Sequence, residues 1–284
     1  MEASMTRIVI TGSAGKAGAF VVREFAAHGY DTLGVDVKAT VVSSALGHLP
    51  SMKADLRDLG QVLESFERAD AIVHLANVSL PGMFPPGKTF SDNLTVNYNV
   101  FRAARLLGIH SIVWLSSAAV VDDLFDPSGE IDVPVTEDSP ARAGSTYALS
   151  KIVTEQMADF FCGEHMSIVG LRAPVIEDPA DYPHYAKYHG DPQLRRWHLW
   201  SYIDARDLAR ACRLAVETRP RGVHNVFVSA RDTVMAQPID ALFELRFPGA
   251  PVPARLRECG SFFAPEHAKR LFGFEPIHSW RDDR

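Results

Sequence analysis

Arg7-Ile8-Val9-Ile10-Thr11-Gly12-Ser13-Ala14-Gly15-Lys16-Ala17-Gly18 is the stretch on which the fold class turns. A short apolar run ends at Thr11, three glycines follow, and an amphipathic segment continues to His28, which reads as a buried strand, a tight turn and a helix. In that context glycines let the backbone come close to a pyrophosphate, and the helix N-terminus supplies amide donors and partial positive charge. The spacing is Gly-x-x-Gly-x-x-Gly rather than the more general Gly-x-Gly-x-x-Gly, and on its own it would equally serve as a plain strand-to-helix turn.

The segments that follow repeat the alternation. Asp31 to Asp36 reads as a second strand ending on a carboxylate, which can hydrogen-bond ribose hydroxyls and would repel a 2′-phosphate. This predicts NAD over NADP, with Lys38 as a cation that works against the preference. Met52 to Asp55 is expected to be a short third strand, and Asp58 to Arg68 a helix capped by Asp58. Asp55-Leu56 then falls at a strand end, although a turn aspartate is an equal reading of Asp55. Ala71 to Asn77 is a continuous apolar strand whose His74 reads as a satisfied core residue.

Pro81 to Gly87 is expected to lack regular structure, and residues 78–90 are a candidate lid. A helix is expected from about Ser91 to Gly108, and a fifth strand from Ser111 to Ser117. Residues from Asp122 to Gly144 read as an acidic loop, and a further strand is expected over Ser167 to Leu171. The predicted fold is α/β, a Rossmann-type doubly wound parallel sheet with helices on both faces and ligands at the C-terminal strand ends. Its dinucleotide-binding domain spans 6–173. A small substrate-binding part spans 174–284, with elements of about 204–228 returning to the sheet.

Thr146-Tyr147-Ala148-Leu149-Ser150-Lys151 carries the chemistry. On a helix, Tyr147 and Lys151 share one face. An ammonium beside a phenol favours the phenolate, which would make an acid/base pair. Composition alone predicts only about 0.17 such pairs in the chain, so position must decide. The helix follows the strand ending at Ser116 and Ser117, which brings Tyr147 toward Ser117.

Together these residues resemble the extended short-chain dehydrogenase/reductase superfamily, in particular the NAD-dependent epimerase/dehydratase family. The resembling pieces are Thr11-Gly12-x-x-Gly15-x-x-Gly18, Asp55-Leu56, His74-Leu75-Ala76, Asn97, Ser116-Ser117-Ala118, Tyr147-x-x-x-Lys151, Arg172-Ala173-Pro174 and Tyr202 to Ala209. The resemblance implies Ser117, Tyr147 and Lys151 as catalytic residues, with Ser116 the second choice for the serine. It implies cofactor contacts from Gly12, Ala14, Gly15, Lys16, Ala17, Asp36, Asp55, Leu56, Leu75, Ala76, Asn77, Asn97, Ser116, Tyr147, Lys151 and Ala173. Where the family's dehydratases carry Asp-Glu after the active-site hydroxyl, Ala118-Ala119 follow Ser117, and Asp122 and Asp123 fall out of register. Dehydration is therefore disfavoured. Val121-Asp122 also replaces the family's Tyr-Gly, so the substrate wall differs.

Asp181 to His189 and Arg195 to Trp200 concentrate aromatics and cations, the chemistry of a hydroxylated or acidic ligand or of a packed lid over 181–200. Arg172, Arg195, Arg196, Tyr202 and Ser117 are the candidate substrate contacts. Asp204 to Thr218 reads as an amphipathic helix with Leu208, Cys212, Leu214 and Ala215 inward. Val223 to Val228 reads as a strand, with short helices near 238–246 and 265–272.

The chain has 284 residues, 46% hydrophobic and 23% charged, with a net charge of -6. That balance argues against general nucleic-acid binding. The polar start at Met1 to Arg7 and the lack of a long apolar run predict a cytoplasmic protein. Cys162, Cys212 and Cys259 are widely spaced and read as reduced, mostly buried thiols, with no metal site. The expected function is NAD-dependent hydride transfer at a secondary alcohol or ketone of a sugar, sugar acid or nucleotide-sugar, by a homodimer. Compact uronate-type dehydrogenases are the nearest analogy in size. The alternative is a redox-sensing NAD(P)-binding regulator, which would have no need of a Tyr147/Lys151 pair.

Overall fold

Apolar runs that are inward-facing on both sides can be satisfied only between two helical layers, and that is how they are used. A seven-stranded parallel sheet contains β1 (Arg7–Thr11), β2 (Asp31–Asp36), β5 (Ser51–Lys53), β6 (Ala71–His74), β7 (Ser111–Leu115), β8 (Ser167–Arg172) and β11 (Gly222–Phe227), in the order β11-β8-β7-β6-β1-β2-β5. The computed structural model describes residues 6–38, 42–44, 47–80, 82–121 and 132–282. Pro81, residues 1–5 and the acidic stretch starting at Asp122 and Asp123 lie outside the described residues.

Strand period sorts the core. Ile8 and Ile10 pack on one face of β1 and Val9 on the other, as Ala71 and Val73 oppose Ile72 in β6. The first face is covered by α1 (Lys16–Ala27), α6 (Ala205–Thr218) and α9 (Glu266–Phe272). The second is covered by α2 (Leu59–Ser65), α3 (Pro86–Leu107) and α4 (Thr146–Phe161). Each fully buried aliphatic side chain contributes about 1.5–3 kcal/mol. The chain leaves β1 for β2 and β5 on one side, then crosses to β6, so the switch point lies between β1 and β6.

Small elements complete the fold: a hairpin of β3 (Val42–Ser44) and β4 (Gly47–Leu49), a parallel pair of β9 (Val175–Glu177) and β10 (Tyr202–Asp204), and α5 (Ala186–His189), α7 (Ile239–Arg246) and α8 (Ala254–Cys259). A third apolar cluster joins Val120 and Val135 to Tyr185, Trp200, Tyr202, Phe227, Phe262 and Trp280. The C-terminal tail is stapled down by two aspartates. Asp207 accepts from the amides of Ile277 and His278 at 3.0 and 2.9 Å, and Asp232 accepts from Ser279 Oγ at 2.7 Å.

Helix ends follow local chemistry. Ser145 Oγ caps α4 by accepting from Ala148 N at 3.1 Å, Asp58 caps α2, and Asp204 caps α6. The expectation of an irregular loop through Gly87 is corrected: α3 begins at Pro86, because proline at the first helical position needs no amide partner and already has a helical φ. It stops where expected, at Gly108 with φ 70°. Leu214 is only partly buried on α6, and of the three free cysteines only Cys212 is fully buried. No helix among the described residues is long and apolar enough to cross a membrane.

Candidate active site

The glycine turn packs against the end of β6 so tightly that side chains are excluded. Gly12 has φ 72°, and a Cβ there would lie 2.7 Å from Ala76 N; one on Gly18 would lie 2.1 Å from Gly12 O. Gly15 caps α1 and no side chain caps its first turn among the described residues, so the leading amides of Lys16 and Ala17 are left without a side-chain acceptor, which suits an anion. Asp36, at the end of β2, accepts from Ala14 N at 3.0 Å and Lys38 N at 2.9 Å, which fixes its carboxylate beside the turn. These residues fit a dinucleotide: amides for its pyrophosphate and a carboxylate for a ribose.

Asp55 is gripped by Arg57, with a salt bridge of 2.6 Å, and the Arg57 hydrogen bonds hold its carboxyl below the ordinary value. Asn99 Nδ2 donates to the carbonyls of Leu56 and Arg57 at 3.0 and 2.9 Å, tying that loop to α3. Leu75, Ala76 and Asn77 continue from β6, and Ala173 from β8, so all lie at the C-terminal edge of the sheet.

At the same edge α4 brings Tyr147 close enough to Ser117 for the serine hydroxyl to favour the phenolate. Ser117 starts a 3-10 turn over Ala118–Val120 and accepts from Ala119 N at 3.1 Å. Lys151 is buried, and its Nζ donates to Leu115 O at 2.7 Å and Asn77 Oδ1 at 3.3 Å. The structure corrects one expectation here. Lys151 lies over the Tyr147 ring, 5.7 Å from its centroid, and burial pushes the Tyr147 phenol up, against the lowering effect of Ser117. Burial also lowers Lys151 to about 7, with Glu155 acting in the opposite direction. The pair is thus a neutral phenol beside an amine poised near neutrality.

Behind it runs a fully bonded polar chain. Thr11 Oγ1 and His74 Nδ1 are 2.6 Å apart, and His74 Nε2 and Asn97 Oδ1 are 2.8 Å apart. An acceptor at Asn97 Oδ1 requires the proton on Nε2, so Nδ1 accepts from Thr11. Asn97 also donates to Thr154 Oγ1 at 2.7 Å and exchanges bonds with Asn77. Burial lowers His74 to about 4, which keeps the imidazole neutral. Asn93 grips Val78 through both N and O and donates to Ser150 Oγ, locking the start of the loop after β6 to α4.

Three of the candidate substrate residues, Arg172, Arg195 and Tyr202, need correction. Arg172 is buried and held bidentately by Glu155, at 2.9 Å from Nε and 2.8 Å from Nη2, because a guanidinium in the core must be neutralised. Glu155 also accepts from Ser116 Oγ at 2.8 Å, which withdraws Ser116 from the reacting set and leaves Ser117 beside Tyr147. Tyr202 is fully buried and donates to Asp232 at 2.8 Å, so it cannot meet a ligand. Arg195 is buried, paired with Glu177 at 3.1 Å and placed over the Tyr188 ring; Arg196 donates to Gln193 at 3.3 Å. Of the aromatics of 181–200, Tyr182, Tyr185 and Trp200 turn inward into the third cluster, whereas Trp197 stays exposed. Lys16 reaches this segment through ion pairs with Asp181 and, at 3.7 Å, with Glu177.

The profile of the NAD dependent epimerase/dehydratase family matches residues 8–228, from β1 through β11 to the end of the sheet. The chain belongs to that family. A UDP-glucose 4-epimerase from Corynebacterium glutamicum is 25% identical over 96% of this chain and 92% of its own length. A uronate dehydrogenase from Pseudomonas syringae pv. tomato is 27% identical over 81% of this chain and 76% of its own. Among solved structures, the Thermotoga maritima UDP-glucose 4-epimerase with UDP-glucose superposes with a TM-score of 0.74 at 20% identity, covering 98% of this chain and 96% of that one. A short-chain dehydrogenase/reductase superfamily protein from Agrobacterium tumefaciens with bound NAD gives 0.73 at 18% identity over 98% and 94%.

Membership makes the chain an NAD-dependent enzyme of the epimerase/dehydratase kind on a Rossmann-type sheet, as the motifs implied. Sequence reasoning did not single out Asn93, Asn99, Thr154 or Glu155. Asn93 and Asn97 are four apart on α3, and Tyr147, Lys151 and Glu155 four apart on α4, so a run of polar residues at helical spacing on an otherwise buried face was the available sign.

Proposed function

We propose that the protein carries out NAD-dependent hydride transfer at a secondary alcohol or ketone of a sugar-like substrate, with Tyr147 as general acid/base. The observation that carries this reading is the meeting of Tyr147, Ser117 and Lys151 at the edge of the sheet that also carries the glycine turn and Asp36. The bound cofactor supplies the hydride acceptor. The α1 amides would hold its pyrophosphate and Asp36 a ribose hydroxyl, an arrangement that favours NAD over NADP. In the oxidation direction Tyr147, as a phenolate stabilised by the ammonium form of Lys151, takes the substrate hydroxyl proton at Oη and becomes the neutral phenol, while Ser117 Oγ donates to the substrate oxygen. In the reduction direction the phenol gives that proton back, and the Lys151 ammonium stabilises the phenolate left behind. Lys151 is kept in register by Leu115 O and Asn77.

Two outcomes share this chemistry. A dehydrogenase acting on a free sugar or sugar acid is supported by the likeness to a uronate dehydrogenase. A nucleotide-sugar epimerase is supported by the likeness to a UDP-glucose 4-epimerase over nearly its whole length. Dehydration finds no support at Ala118 and Ala119, which bear only methyl groups. The same reading includes a cytoplasmic homodimer, supported by exposed Tyr98, Leu149 and Phe160 on α3 and α4.

The test is a screen of sugars, sugar acids and nucleotide-sugars with NAD, following NADH absorbance and product stereochemistry together. NADH release identifies a dehydrogenase, inversion without it an epimerase, and neither with any substrate refutes the assignment. Tyr147→Phe is expected to reduce turnover by about 10²–10⁴-fold. Tighter binding of NADP than NAD would refute the role of Asp36.

A further inference from the structure

Glu155 and Arg172 form a buried ion pair that the reaction as derived does not use. Glu155 stands four residues after Lys151 on α4, and both are buried. Its carboxylate accepts three bonds, from Ser116 Oγ at 2.8 Å and from Arg172 Nε and Nη2 at 2.9 and 2.8 Å. Arg172 ends β8 and lies over the Phe227 ring, 5.4 Å from its centroid. Its third nitrogen, Nη1, is buried and makes no hydrogen bond among the described residues, so Glu155 is what neutralises it. Three elements therefore converge on one carboxylate: the end of β7 through Ser116, α4, and β8.

The charged and titratable groups around Lys151 are few. From α4 they are Tyr147 and Glu155; from β6, His74, held neutral by burial; and from β8, Arg172, behind Glu155. Trp114 and Leu115 O of β7 and Asn77 complete its surroundings without formal charge. We propose that Glu155 and Arg172 are positioning residues that balance the charge beside Lys151, the carboxylate favouring the ammonium form of Lys151 while the bidentate guanidinium fixes that carboxylate in place. This rests on the reading of Lys151 as the partner of Tyr147. Burial brings Lys151 down to about 7 and Glu155 acts in the opposite direction, so a modest change in that balance changes the fraction protonated at neutral pH.

The sign is fixed by the chemistry. Glu155→Gln removes the anion and leaves Arg172 as an uncompensated cation, so the Lys151 ammonium loses its proton at lower pH. The alkaline limb of the pH profile of kcat is expected to move down by about one unit. Glu155→Asp keeps the charge and should leave the limb in place. In Glu155→Gln/Arg172→Met the stray cation is absent, so the shift should be smaller than in Glu155→Gln alone. This double variant also serves if the single one does not fold, because a neutral replacement of a buried pair is tolerated better than half of one.

A second readout needs neither cofactor nor turnover. In protein labelled with ¹³C-lysine, the Lys151 Cε resonance, assigned by its loss in Lys151→Met, should titrate at lower pH in Glu155→Gln than in the wild type. If the resonance and the kinetic limb both stay in place while the melting temperature alone falls, the pair is merely structural and the inference is overturned. Should Tyr147→Phe turn over like the wild type, the acid/base reading fails instead, and the Lys151 titration still decides whether Glu155 sets its protonation.

Discussion

Lowering the pH should destabilise the protein through one identifiable residue, His74. Its imidazole is buried, holds Thr11 and Asn97 as the neutral Nε2–H tautomer, and is pushed from the ordinary 6.5 to about 4 by burial. The unfolded chain takes up the His74 proton near pH 6.5, whereas the folded chain resists it down to about 4, so the unfolded state binds more protons throughout that window. Stability is therefore complete above about 6.5 and is lost as pH falls toward 4. A depression of about 2.5 units corresponds to about 3 kcal/mol in full, of which about 2 kcal/mol is lost by pH 5. For a domain of this size that is a fall in melting temperature of roughly 3 °C. Other groups titrate in the same range, so the measurement is a comparison of melting curves at pH 7 and pH 5 for the wild type and His74→Gln, which keeps one donor and one acceptor but no titrating group. The variant is expected to start lower at pH 7 and to lose about 2 kcal/mol less on acidification. Equal losses in the two proteins would refute the assignment of a neutral, proton-resisting imidazole.

Other perturbations separate the parts of the site. Asn97→Ala removes the partner of His74, Asn77 and Thr154 at once; leaving buried groups unpaired at about 1–3 kcal/mol each should lower the melting temperature by several degrees in a thermal scan. Ser117→Ala should reduce kcat much more than Ser116→Ala, since only Ser117 interacts with Tyr147; equal losses measured in steady-state assays would reverse the choice of serine. Lys16→Met leaves Asp181 without its cation beside the pyrophosphate amides and should weaken NAD about fivefold by calorimetry, while Lys16→Met/Asp181→Asn recovers part of the loss. Sedimentation should give a dimer that Phe160→Glu dissociates, and a monomeric wild type would refute that assembly.

What could be read from the sequence and what could not divide along a physical line. The strands, the turn and the Tyr147–Lys151 helix are local: unbroken apolar runs, glycines whose Cβ would strike backbone, and a capping serine each act within a few residues, and the structure puts them at the same sheet edge. The start of α3 was missed because Pro86 and Gly87 punctuate loops and helix N-termini alike. Arg172, Arg195 and Tyr202 were misread for a different reason. A charged or phenolic residue after a strand end looks ready for a ligand, but its partner lies far along the chain: Glu155 for Arg172, Glu177 for Arg195 and Asp232 for Tyr202. Sequence shows the cost of burying such a group without showing the group that offsets it. The same blindness applied to Lys151. Spacing suggested that it lowers the phenol of Tyr147, whereas in the fold both are dry and burial governs each, raising the phenol and lowering the amine. Their proximity identifies the chemistry, but the protonation state in which it begins is set by burial and by a charge outside the Tyr147–Lys151 spacing, Glu155 one turn beyond the amine, while Asn77 and Leu115 hold the amine in place.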